Sequence, residues 1–195
     1  MAIGAWNPAI LTPNGIRRRL FKLENEIPIA IEVNLDEPQQ YRVVHQDIGV
    51  VVTKDQVTVD LRSISPQGLQ RAAEVVVNAI ESLEQTPLRA AGVNLRYVGD
   101  RFDASLREKL RSPLDDLLEG QHLTIASATK RSLEMKPGLL NLDLREETER
   151  VVVEFNFHLG STEGSALCSW LRRNQEFYAE AGKIMSELGI ETGEG

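Results

Sequence analysis

The chain has 195 residues, 42% of them hydrophobic and 26% charged, with 22 Lys and Arg against 29 Asp and Glu for a net charge of −7. That balance is ordinary for a globular protein and excludes low-complexity, collagen-like and disulfide-stapled classes, the last because Cys168 is the only cysteine. No stretch approaches the ~20 consecutive apolar residues of a membrane helix, and no charged-then-apolar leader is present. The expectation is therefore a soluble, cytoplasmic protein folded as one domain, with no membrane contact.

In chain order, the first notable segment runs from Asn14 to Lys22. Ile16, Leu20 and Phe21 stand at i, i+4 and i+5 beside Arg17-Arg18-Arg19, so one short helix would present an apolar anchor and three like charges. Strands are predicted over Ile27–Leu35 and Tyr41–His45, with Asp36-Glu37-Pro38 as the turn between them. Val50–Thr53 and Gln56–Arg62 flank Lys54-Asp55, a two-residue hairpin connection without the preferred glycine. Ser65 is a candidate N-cap and Pro66 a first helical residue, opening a helix to Glu84 whose stripe is Leu69, Ala72, Ala73, Val76, Ile80 and Leu83.

Ala90–Val98 alternates as a further strand, and a weaker helical region spans Ala104–Glu119, broken at Ser112-Pro113. A three-strand meander follows over His122–Glu134, Gly138–Arg145 and Arg150–Leu159. A second long helix is predicted from Glu163 to Leu188, capped by Ser161 or Thr162 and closed at Gly189. The fold class is thus α+β and mostly antiparallel, with two long amphipathic helices on the apolar face. Each half, about 27–98 and 104–188, reads as a meander followed by a helix, which points to a pseudo-duplicated unit.

No recognised catalytic or cofactor motif is present: neither glycine-rich nucleotide loop occurs, nor a serine nucleophile elbow. His45, His122 and His158 have no partner at metal-ligand spacing, so neither metal nor cofactor is expected. Cys168 and His158 form the only pair resembling nucleophile and base, but Leu167 and Trp170 beside the cysteine favour simple burial.

Two sets of polar residues remain. Thr58, Asp60 and Arg62 share one strand face, as do Asn94 and Arg96, then Asn141, Asp143 and Arg145, then Glu154, Asn156 and His158. Adjacent strands would gather them into a binding or acid/base surface, or into the solvated side of an antiparallel sheet crossed by opposite charges. Arg17, Arg18 and Arg19, and separately Arg172-Arg173, could hold phosphate. The acidic balance and the lack of interleaved aromatic residues argue against nucleic acid.

Ala91-Gly92-Val93-Asn94-Leu95-Arg96-Tyr97, then Leu139-Leu140-Asn141-Leu142-Asp143-Leu144, then the helix bearing Phe177 resemble a family of uncharacterised, sporadically distributed bacterial proteins. The resemblance implies a strand, a strand and a closing helix, and an accessory role in mobile-element or host-defence systems; it implies no activity. The functional expectation is a non-enzymatic subunit acting through a protein partner or as a homo-oligomer. Its rivals are a small-ligand-binding or hydrolytic domain using the polar sheet face, and a nucleic-acid-binding module using Arg17–Arg19.

Overall fold

The computed structural model describes residues 1–33, 41–99, 127–146 and 150–190, together with 106, 108, 110, 111 and 113. The Asp36-Glu37-Pro38 turn, His122 and most of the Ala104–Glu119 helical region lie outside these residues. The chain is α+β, and its strand registers are antiparallel. It divides into two compact units, Met1–Val93 with His158–Phe177, and Asn94–Phe157 with Tyr178–Gly195.

In the first unit the hydrogen-bonded strand order is β2-β3-β4-β5-β1-β6. These are β1 (Ala2–Gly4), β2 (Ala30–Val33), β3 (Tyr41–His45), β4 (Ile48–Val52), β5 (Gln56–Leu61) and the first half of β6 (Leu88–Gly99). The sequence reading missed β1, a three-residue strand too short to show any period. It pairs Ala2 with both Val57 and Ala91, and so separates β5 from β6.

The β4–β5 hairpin closes without glycine because the Thr53 side chain organises the turn. Thr53 Oγ1 accepts from the Asp55 and Gln56 amides at 3.3 and 3.2 Å, while Thr53 N donates to the Gln56 carbonyl at 2.9 Å.

After the short α1 (Pro13–Gly15), helix α2 (Pro66–Ser82) begins as its sequence requires, with Ser65 Oγ accepting from Gly68 N at 3.1 Å. Leu69, Ala72, Ala73, Val76 and Ile80 of its predicted stripe are buried, and so are Val75, Val77, Asn78 and Ala79 outside that stripe; the helix stops two residues short of the predicted Glu84, leaving Leu83 half-buried just past its end. The reason is that α2 packs against β5, against α3 (Gly164–Arg172) and against a π-helix over Ile16–Leu20.

The single helix predicted over Glu163–Leu188 is divided into α3 and α4 (Asn174–Leu188). Asn174 is buried, and its Nδ2 donates to the Leu171 carbonyl at 3.0 Å, a side-chain bond that competes with the helical ladder at the break. Apolar periodicity continues through such a break, so the pattern alone could not show it. Trp170 and Phe177 lie on either side of it, with ring centroids 4.7 Å apart, and both are fully buried in the first unit.

In the second unit the order is β6-β9-β8-β7, with β7 (Ser127–Met135), β8 (Gly138–Glu146) and β9 (Val151–Gly160). Leu140, Leu142 and Leu144 are buried, as are Phe155 and Phe157, while the residues between them are half-buried. This is the predicted alternation. Leu188 is followed by Gly189 at φ 73°, and Ile190 N and Gly189 N donate to the Met185 and Ser186 carbonyls. That pattern closes α4 where the sequence placed its end.

Candidate functional site

The polar faces seen in the sequence resolve into two separate constellations. In the second unit, cross-strand register sets Ser132 opposite Asn141 and Lys130 opposite Asp143. Ser132 Oγ donates to Asn141 Oδ1 at 2.8 Å, Asn141 Nδ2 to Asn156 Oδ1 at 3.0 Å, and Asn156 Nδ2 to Asn94 Oδ1. One run of side-chain hydrogen bonds thus crosses four strands.

A charged row crosses the same strands. Arg96 Nε lies 3.2 Å from Glu154 Oε1, Arg145 Nη2 2.6 Å from Glu154 Oε2, and Lys130 Nζ 2.9 Å from Asp143 Oδ2. Charges alternate along it, and both carboxylates are matched by cations. Glu154, with a cation on each oxygen, is a poor general base, because its lone pairs and its charge are already engaged, whereas Asp143 Oδ1 is buried without a hydrogen-bond partner among the described residues, 3.7 Å from Arg145 Nε, which also has none. The sequence-predicted residues Arg96, Asp143 and Glu154 are therefore brought together, in one charged row.

Asp60 and Arg62 belong to a different group, in the first unit. Arg42 bridges Asp60, through Nε and Nη2, and Glu32, through Nη1 at 2.6 Å; Arg62 Nη2 reaches Glu32 Oε1 at 3.3 Å. The guanidinium of Arg42 holds the Glu32 carboxyl below the usual range, and the Asp60 carboxylate raises Arg42. Gly49 makes room for this: a Cβ there would lie 2.2 Å from Arg42 Nε. Neither Arg42 nor Glu32 was singled out in the sequence, although their register across β2 and β3 is what seats the ion pair.

The imidazole of His158, half-buried near the end of β9, makes no side-chain hydrogen bond or ion pair among the described residues. His45 packs edge-on against Phe21, with centroids 5.7 Å apart. Among the described residues no group of three or more potential ligands could hold a metal. Cys168 is buried, and desolvation, followed by the Glu81 carboxylate, pushes its thiol up from the ordinary value. A thiol so shifted is protonated at neutral pH and is the opposite of an activated nucleophile.

The arginine run is divided by its own helix. Ile16 and Leu20 are fully buried against the first unit, and the Leu20 carbonyl accepts from Asn78 Nδ2 of α2 at 2.8 Å. The apolar anchor is thus used internally. Arg17 Nη1 and Nη2 donate to the Asn25 carbonyl and side chain at 2.7 and 2.9 Å. Arg18 and Arg19 are exposed and form no ion pair among the described residues.

The two outermost strands of the described sheet differ in how they are guarded. β7 carries Lys130, Arg131 and Glu134, charges of the kind that discourage strand pairing. β2 carries Ala30, Ile31, Glu32 and Val33, all exposed, with Ile31 at 51% and Val33 at 47%. Its one charge, Glu32, is neutralised by Arg42 and Arg62.

No family model, curated protein or solved structure matches the chain. No helix among the described residues is long and apolar enough to cross a membrane.

Proposed function

We propose that this chain is a non-enzymatic protein-interaction subunit that receives an extended segment of a partner along β2. The supporting observation is the outer edge of β2, unpaired among the described residues, where Ile31 and Val33 stand exposed on one face and the strand's one charge is internally paired. Strand addition draws affinity from main-chain hydrogen bonds and specificity from alternate side chains, and β2 offers both. The ion pairs that engage Glu154, Glu32 and Asp60 favour this reading over a hydrolytic or ligand-binding use of those carboxylates. A cytoplasmic setting accords with it, Cys168 being a buried free thiol.

The test is affinity isolation from the chain's own host with quantitative mass spectrometry. Wild type is compared with an Ile31→Asp, Val33→Asp variant, and light scattering of both reports self-association, since a second copy is one eligible partner. The expected result is a partner, or a self-assembled form, that is lost with the variant while its melting temperature stays close to wild type. An unchanged set of partners and an unchanged mass would refute the β2 assignment.

A further inference from the structure

We infer that Arg18 and Arg19 form a binding site for the phosphate group of a small molecule, an inference independent of the β2 reading. A cavity of about 430 Å³ opens beside the π-helix, and its described lining is Ile10, Asn14, Gly15, Arg18 and Arg19. That volume falls within the ~300–1,000 Å³ of small-molecule sites. Two adjacent arginines therefore line one cavity, in a chain with an excess of seven acidic residues. Arg42, Arg71, Arg96, Arg145, Arg172 and Arg173 all have carboxylate partners within 4 Å. Arg18 and Arg19 have none among the described residues, so no described carboxylate competes with an anion for them.

The platform under them is fixed rather than floppy. Ile16 and Leu20 are buried on either side of the pair, Asn78 holds the Leu20 carbonyl, and Tyr41 Oη donates to the Leu11 carbonyl at 3.0 Å. Gly15 permits the close packing at the cavity floor, since a Cβ there would lie 2.1 Å from the Ile10 carbonyl oxygen. Fixing the backbone that carries the two arginines before binding reduces part of the ordering cost on association.

Two planar forks suit a doubly charged phosphate monoester, which accepts paired N–H donors from each. A nucleic-acid strand fits less well. The net charge of −7 opposes long-range attraction of a polyanion, and no aromatic side chain is among the described lining residues for bases to stack upon.

The test follows the melting temperature and calorimetric binding of the whole chain with inorganic phosphate and pyrophosphate, at matched ionic strength with chloride. Wild type is compared with Arg18→Gln, Arg19→Gln and with an Arg62→Gln control. Saturable stabilisation of wild type and control is expected. The double variant should melt as wild type does without phosphate and bind phosphate at least about tenfold more weakly, charge-assisted forks being the stronger polar contacts. An equal phosphate response in the double variant, or none in wild type at about 20 mM phosphate, would overturn the inference. So would a larger response to malonate than to phosphate, or salt-sensitive binding of a labelled oligonucleotide that phosphate does not displace.

Discussion

Asn78 is the side chain that ties the arginine-bearing segment to the rest of the first unit, and its removal has a calculable effect. Its amide lies in the buried interior of α2 and donates to the Leu20 carbonyl at 2.8 Å, with Leu20 itself fully buried. Asn78→Ala removes the donor and leaves a buried acceptor without that partner, a loss of about 1–3 kcal/mol. Alanine is the better helix former by about 0.7 kcal/mol, so the net loss is roughly 0.3–2.3 kcal/mol. For a chain of this size that lowers the melting temperature by about 1–10 °C. Asn78→Asp keeps the shape but sets a carboxylate against the carbonyl, and should cost more than alanine because the buried charge gains no partner. Thermal unfolding followed by circular dichroism reads both variants. A melting temperature for Asn78→Ala at or above wild type, or an Asn78→Asp variant as stable as wild type, would refute the claim that this bond anchors the π-helix.

Other outcomes follow from the same geometry. Trp170→Ala, at a residue 1% exposed and stacked near Phe177 with Arg173 5.0 Å above its ring, should cost about 3–5 kcal/mol in urea denaturation. Gly49→Ala should displace the Arg42 guanidinium and lose about 1 kcal/mol of ion-pair support. That loss should vanish in an Arg42→Met background, and its persistence there would show that Gly49 is needed for another reason. Cys168 should alkylate slowly with iodoacetamide at pH 7.5, because burial raises its thiol. A raised folded value contributes stability below the unfolded thiol value of about 8.5, and that contribution is lost as pH rises through the folded value. The stability difference between wild type and Cys168→Ala should therefore shrink above that pH, and a difference that grows would contradict the burial assignment.

Much of the secondary structure was legible because single elements carry their own periods. The β8 and β9 alternation and the Ser65–Pro66 start of α2 all appear where the residues place them. What was not legible depends on partners distant in sequence. β1 has too few residues for a pattern, and the break between α3 and α4 turns on one buried Asn174 side chain. The polar residues were visible, but not their grouping: Asp60 and Arg62 find Arg42 and Glu32 through register across β2 to β5, while Arg96, Asp143 and Glu154 find one another. The fate of Arg17-Arg18-Arg19 was equally hidden, since a run of three identical side chains gives no sign that one meets Asn25 while the next two line a cavity.

Amide hydrogen exchange of Ala30–Val33 tests the central claim most directly, measured in the isolated chain and in the assembly recovered from its host. The outer edge of β2 predicts fast exchange at its outward-facing amides when the chain is alone, and strong protection of those amides in the assembly. Unchanged exchange along β2, with new protection confined to another surface of the chain, would contradict the account.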